Sequence, residues 1–196
     1  MSSVPQRKIV VLSGPSGVGK TTISERLRAE FPIFGYSVSA TTRPPRAGEV
    51  HGRDYYFLAR EEFEKGIREG AFVEHAAVFG NLYGTPKKGV VETMEKGRVP
   101  LLDVDVQGAE SLRRSGFEGV YIFVLPPTLE VLGRRLERRG TDRLEADKRL
   151  AEAAREMEEA ARFDYRIVND DLDRTYAEIR EILVREIPGL AKVAAR

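Results

Sequence analysis

The sequence predicts an α/β fold in which helices cover both faces of a parallel β-sheet, and three observations predict it. Short β-branched apolar runs without alternation recur along the chain, as strands buried on both faces require. Segments with apolar residues at helical spacing fall between and after those runs. The first run also passes directly through a glycine-rich turn into a helix, the unit that opens such folds.

Residues 8–13 (KIVVLS) form the first predicted strand. A helix over 22–31 follows, with Ile23, Leu27 and Phe31 on one face and Pro32 as its stop. Further strands are expected over 99–104, 120–125 and 166–168, and further helices over 86–96, 107–114, 129–139, 144–162 and 173–187. Residues 36–85 break this rhythm. They hold aromatic, extended pieces (YSVSA, DYYFL, FVEHAAVF) around one helix-like stretch at 60–69, which predicts an inserted α+β lobe. A second departure is the loop at 140–143 between arginine-rich helices. The expected division is a core of residues 1–35, 86–133 and 156–196, a lobe over 36–85 and a small helical lid over 134–155.

At 196 residues and 41% hydrophobic, the chain can bury a sizeable core. Its formal net charge of +1 argues against a nucleic-acid coat or a polybasic membrane binder. Arginine far outnumbers lysine, which suits forked contacts to phosphate or carboxylate. With no cysteine, disulfides, zinc–thiolate sites and cysteine nucleophiles are excluded. There is no apolar run of signal-peptide or membrane-spanning length, so a cytoplasmic protein without membrane or nucleic-acid partners is expected.

The chemistry begins at Gly14-Pro15-Ser16-Gly17-Val18-Gly19-Lys20-Thr21, which fits G-x-x-x-x-G-K-[ST] at every fixed position. Glycines let backbone N–H groups turn inward around phosphate oxygens, and the helix that follows aims its positive end at them. Lys20 is expected to reach the β and γ phosphates of a nucleoside triphosphate, and the Thr21 hydroxyl to ligate Mg²⁺. Such a P-loop serves GTPases, ATPases and small-molecule kinases alike.

The rest of the chain carries a likeness to one known family that runs through several long motifs in order. The stretch from Phe34-Gly35-Tyr36-Ser37-Val38-Ser39 through Arg43-Pro44-Pro45-Arg46-Ala47-Gly48-Glu49 carries the likeness, with Gly52-Arg53-Asp54-Tyr55-Tyr56-Phe57 after it. Phe72-Val73-Glu74-His75-Ala76, Gly80-Asn81-Leu82-Tyr83-Gly84-Thr85, Leu102-Asp103-Val104-Asp105-Val106-Gln107-Gly108 and Val168-Asn169-Asp170-Asp171-Leu172 continue it. These motifs resemble those of the guanylate kinases, and the resemblance implies transfer of the γ-phosphoryl group of ATP to GMP, with dGMP as a second acceptor and Mg²⁺ as cofactor, by a monomer or small homo-oligomer. It further implies that Arg43 and Arg46 clamp the GMP phosphate with Tyr55 and Tyr83. Glu74 would read guanine, with Ser39 or Thr85 donating to O6, and Asp103 and Asp105 would border the acceptor. Arg135 and Arg139 match lid arginines, Arg149 one that follows the lid, and Thr22, Asn169 and Asp170 residues around ATP.

The residues support this reading on their own terms. A phosphate acceptor is already anionic, so the reaction needs positioned cations rather than a base, and His51 and His75 lie outside any triad-like setting. Pro44-Pro45 holds two arginine forks at a set separation. Asp103 is expected to orient Mg²⁺ through water and Asp105 to face guanine, with their side chains on opposite sides of the strand end. Asp105-Val106-Gln107-Gly108 reads D-x-x-G, but a regulatory GTPase also needs N-K-x-D, and the chain has no Asn-Lys pair. An intact Gly19-Lys20-Thr21 argues against a non-catalytic, protein-binding relative.

Overall fold

The computed structural model describes residues 8–138, 141–187 and 189–191. Its first half comprises β1 (Ile9–Ser13), α1 (Lys20–Glu30), β2 (Phe34–Tyr36), β3 (Ala40–Thr41), β4 (Tyr56–Phe57), α2 (Arg60–Arg68), β5 (Phe72–Val78) and β6 (Asn81–Pro86). Then come α3 (Lys87–Glu95), β7 (Val99–Asp103), α4 (Val106–Arg114), β8 (Gly119–Leu125), α5 (Leu129–Arg138), α6 (Arg143–Glu158), β9 (Tyr165–Val168) and α7 (Leu172–Glu186).

Five strands form one sheet in the order β2-β7-β1-β8-β9, and every pairing in it is parallel. All five residues of β1 are buried, which is why it shows no polar alternation. Val10 and Leu12 point to one face, against Ile23, Leu27 and Phe31 of the α1 side and Ile179 and Leu183 of α7. Ile9 and Val11 point to the other, against Leu102, Ala109, Leu112 and Phe123. Each such side chain contributes about 1.5–3 kcal/mol on full burial, so the two faces together fix the frame on which the loops stand.

A second sheet, β4-β3-β6-β5, makes up most of the inserted stretch, with β5 and β6 as an antiparallel hairpin. Phe63 of α2 stacks on Phe72 of β5 at 4.4 Å between ring centroids, seating the helix on this sheet. α5 and α6 pack through Leu132, Leu136 and Ala153, a small cluster separate from the sheet core.

Two expectations need correction. The helix expected over 144–162 ends at Glu158 and tightens into a 3₁₀ turn at Glu159–Arg162, where Phe163 N–H donates to Ala160 O at 3.2 Å and the chain turns into β9. The core strand β2, which carries Tyr36, was not expected. Its three residues gain their extended form from pairing with β7 rather than from a pattern of their own.

Candidate active site

The P-loop leaves β1 at Gly14, whose φ is +135° and where a Cβ would lie 2.2 Å from Val124 O, so only glycine fits. The loop enters α1 at Gly19, also left-handed in φ, and the N-terminus of α1 faces the open cleft. Gly14, Ser16, Gly17, Gly19, Lys20 and Thr21 line that cleft. Lys20 Nζ donates to Gly14 O at 2.6 Å and Pro15 O at 3.4 Å, and stands 3.8 Å from Asp103 Oδ1. The lysine is thus held over its own loop, where phosphate oxygens would replace the carbonyls as acceptors.

Across the cleft lie Ser39, Arg43, Arg46, Tyr55, Glu74 and Tyr83, all of the inserted lobe. Glu49 organises the two arginines. Its Oε1 accepts from Arg43 Nη2 at 2.9 Å and its Oε2 from the Arg46 N–H at 2.7 Å. Partial burial opposes ionisation of Glu49, but these partners outweigh it and hold its carboxyl below the usual value. The Arg43 guanidinium also lies 5.5 Å from the centre of the Tyr55 ring, and Tyr55 meets Tyr83 edge-on at 6.1 Å.

Glu74 is buried in the middle of β5, and its Oε1 accepts from Thr85 Oγ1 at 2.5 Å across the hairpin. Burial pushes its carboxyl up to about 7, with the Thr85 hydroxyl opposing and Asp105 reinforcing. Asp105 caps α4, accepting from Gly108 N–H at 2.7 Å. Burial raises both Asp103 and Asp105 above the usual carboxylate range, against the pull of Lys20. The expected placement of these two aspartates on opposite sides is overturned: both line the one cleft. Residues two apart along an extended chain share a side, and β7 ends at Asp103, leaving Asp105 free to turn into its capping position.

Several expected residues stand outside the cleft lining. Pro15 and Val18 are buried within the P-loop, and Thr22 is exposed on α1. Thr85 sits behind Glu74. Asn169 is buried and donates from Nδ2 to Val18 O at 2.7 Å, while Arg135 donates to Asn169 O at 2.9 Å and to Val18 O at 3.4 Å. These two side chains brace the P-loop from behind. Asp170 is exposed and pairs with Arg174 at 3.5 Å. Arg149 lines the cleft from α6, paired with Glu145 and 5.9 Å from the Phe79 ring of the opposite lobe. Arg139 lies outside the described residues. Both histidines are exposed, His51 accepting at Nδ1 from Phe57 N–H at 3.2 Å.

The sequence reading missed Glu49 as a brace, and Glu152 and Glu156 as lining residues on α6. Burial pushes the Glu156 carboxyl up to about 7, Lys20 opposing and Asp105 and Glu152 reinforcing. The only available signal was helical spacing, which aligns 149, 152, 153 and 156 on one face. Among the described residues, no group of three or more His, Cys, Asp or Glu is placed to hold a metal ion, and no helix is long and apolar enough to cross a membrane. The oxygen donors of Thr21 and Asp103 on the cleft wall nevertheless suit a hard cation whose remaining ligands come from phosphates and water.

A family model described as guanylate kinase matches residues 6–186. A guanylate kinase from Nitratidesulfovibrio vulgaris is 51% identical over 179 residues, covering 91% of this chain and 86% of that protein. One from Homo sapiens is 48% identical over 191 residues, covering 95% and 97%. The crystal structure of guanylate kinase from Anaplasma phagocytophilum matches at a TM-score of 0.75 with 37% identity, over 93% of this chain and 88% of that one.

Proposed function

The chain belongs to the guanylate kinase family, and from that premise we propose how its cleft divides the work of moving the γ-phosphoryl group of ATP to GMP. It is a nucleoside monophosphate kinase, and its products are ADP and GDP. The observation that carries the division of labour is the joining of a P-loop to a lobe with two braced arginines, two tyrosines and a buried glutamate in one cleft.

ATP lies on the P-loop. Lys20 exchanges its contacts with Gly14 O and Pro15 O for the β and γ phosphates, close to where it already stands. GMP lies in the lobe, its phosphate held by the Arg43 and Arg46 forks with Tyr55 and Tyr83. Ionised Glu74 accepts from guanine N1–H and the 2-amino group. Thr85 already donates to Glu74, which leaves Ser39, on the cleft wall, to donate to O6. Adenine presents the opposite pattern at this edge and is rejected. dGMP, which carries the same base and phosphate, is a second acceptor.

A phosphate oxygen of GMP forms the new bond to the γ phosphorus as the bond to the β–γ bridging oxygen breaks, and that oxygen keeps the electron pair on ADP. No proton needs to be removed. Thr21, and Asp103 through water, would hold Mg²⁺, which would supply neutralisation of the negative charge on the triphosphate. Closure of α6 over the cleft, as part of a lid over 134–155, would bring Arg149 onto the transferring group and exclude water. The site suits purine nucleotide metabolism in a cytoplasmic setting.

The test is a coupled ADP-release assay with GMP, dGMP, AMP, CMP and UMP as acceptors. GMP should be preferred by far and dGMP accepted. Equal or greater turnover with AMP would overturn the assignment of Glu74 and its lobe to guanine.

A further inference from the structure

We infer that Gly108 is a positioning residue for base recognition: its lack of a side chain leaves the space in which Glu74 faces guanine. The inference rests on the reading of Glu74 given above.

Gly108 is the third residue of α4, buried, with a backbone conformation any residue could adopt. Glycine is a poor helix former, so neither conformation nor propensity accounts for it. Space does. A Cβ at Gly108 would lie 2.5 Å from Glu74 Oε2, 3.1 Å from Glu74 Cδ and 3.2 Å from Asp105 Oδ1. The first distance is far inside van der Waals contact. The other Glu74 oxygen is held by Thr85 Oγ1 at 2.5 Å, so the carboxylate cannot withdraw without breaking that bond or rotating its fork. The Gly108 N–H meanwhile holds Asp105 Oδ1 at 2.7 Å, so one residue shapes the seats of both carboxylates on the acceptor side.

What must give way is the end of one long side chain, not backbone. A methyl at 108 is therefore tolerated by the fold while it displaces the atoms that read the base. Helix propensity and site geometry predict opposite responses, which separates a positioning role from a merely structural one.

The experiment is a double-mutant cycle of Gly108→Ala with Glu74→Asp, with Glu74→Gln as a fifth protein beside the four of the cycle. Gly108→Ala should lower kcat/KM for GMP by about tenfold or more, through KM, and narrow the preference for GMP over AMP. The KM for ATP should stay within about twofold and the thermal midpoint should not fall. In the Glu74→Asp background, one methylene shorter, the same methyl should cost less than about threefold. Undiminished GMP efficiency in Gly108→Ala, an equal loss in both backgrounds, or a loss that tracks a lowered thermal midpoint would each overturn the inference. Retained GMP preference in Glu74→Gln would instead defeat the reading of Glu74 itself, so the two failures are distinct.

Discussion

Glu74→Gln removes a carboxyl that burial has pushed from 4.5 up to about 7, and this couples the site to pH. Between those values the native protein keeps a proton that the unfolded chain releases. The stability this group contributes is therefore full below about pH 4.5 and is lost as pH rises through about 7. At 1.36 kcal/mol per pH unit the loss is about 3 kcal/mol, most of it falling between pH 5 and 8.5. Glutamine at this position does not titrate. Denaturant unfolding of both proteins without nucleotide, across that window, should show the Gln variant gaining on wild type by about 2 to 3 kcal/mol as pH rises. Glu156, also pushed to about 7, is present in both proteins and drops out of the difference. GMP binding should respond in the opposite sense, because the fork that accepts two donors is the ionised form. The KM for GMP should fall more steeply from pH 6 to 8 in wild type than in Glu74→Gln, the phosphate of GMP titrating near pH 6 in both cases. A difference in unfolding free energy that is flat with pH would refute the argument from burial.

Arg46→Lys keeps the charge but loses the fork, and steady-state kinetics should show kcat/KM for GMP reduced by about tenfold to a hundredfold. Glu49→Gln leaves Arg43 and the Arg46 N–H with a weaker brace, so the KM for GMP should rise about threefold to tenfold while the KM for ATP holds. Gly14→Ala puts a methyl 2.2 Å from Val124 O in a backbone of φ +135°, and neither side can yield. Unfolding free energy should fall by about 4 kcal/mol or the protein should fail to accumulate, as thermal melts would record.

The sequence made β1, β7 and β8 legible because strands buried on both faces must be apolar throughout, a pattern visible without partners. β2, β3 and β4 were not legible in the same way. Two or three residues carry no period, and their form comes from the strands beside them. The P-loop was readable from spacing and context together, whereas Arg43, Arg46 and Glu74 were found through family likeness. Glu74 illustrates the limit: an acidic residue in an extended run reads as solvent-facing. Its burial is created by Thr85 across the hairpin and by α4 laid against it at Gly108. Glu152 and Glu156 escaped for a related reason. Acidic residues spaced along an arginine-rich helix look like a solvated face, and only the packing of α6 at the cleft turns that face inward.

The same contacts bear on how substrates bind. Lys20 is engaged by Gly14 O, Pro15 O and Asp103, Arg43 by Glu49, and Arg149 by Glu145 before any phosphate arrives. Each phosphate contact is thus an exchange of acceptors, and its net contribution is smaller than the new bond alone. The partners differ in what they do during that exchange. Glu49 grips only one nitrogen of Arg43 and a backbone N–H of Arg46, so it can keep both grips while the guanidinium groups turn other donors to GMP. Gly14 O and Pro15 O hold the single nitrogen of Lys20 that phosphate would take, whereas Glu145 holds one nitrogen of Arg149, as Glu49 does of Arg43. Arg43 Nη1 also donates to Pro44 O at 2.7 Å, so that carbonyl is the acceptor a GMP phosphate would replace on Arg43. On the proposed division of the cleft, Lys20 would give up its carbonyl partners to the triphosphate and Arg149 would reach the transferring group only when the lid shuts, which would tie full charge neutralisation to the presence of both substrates.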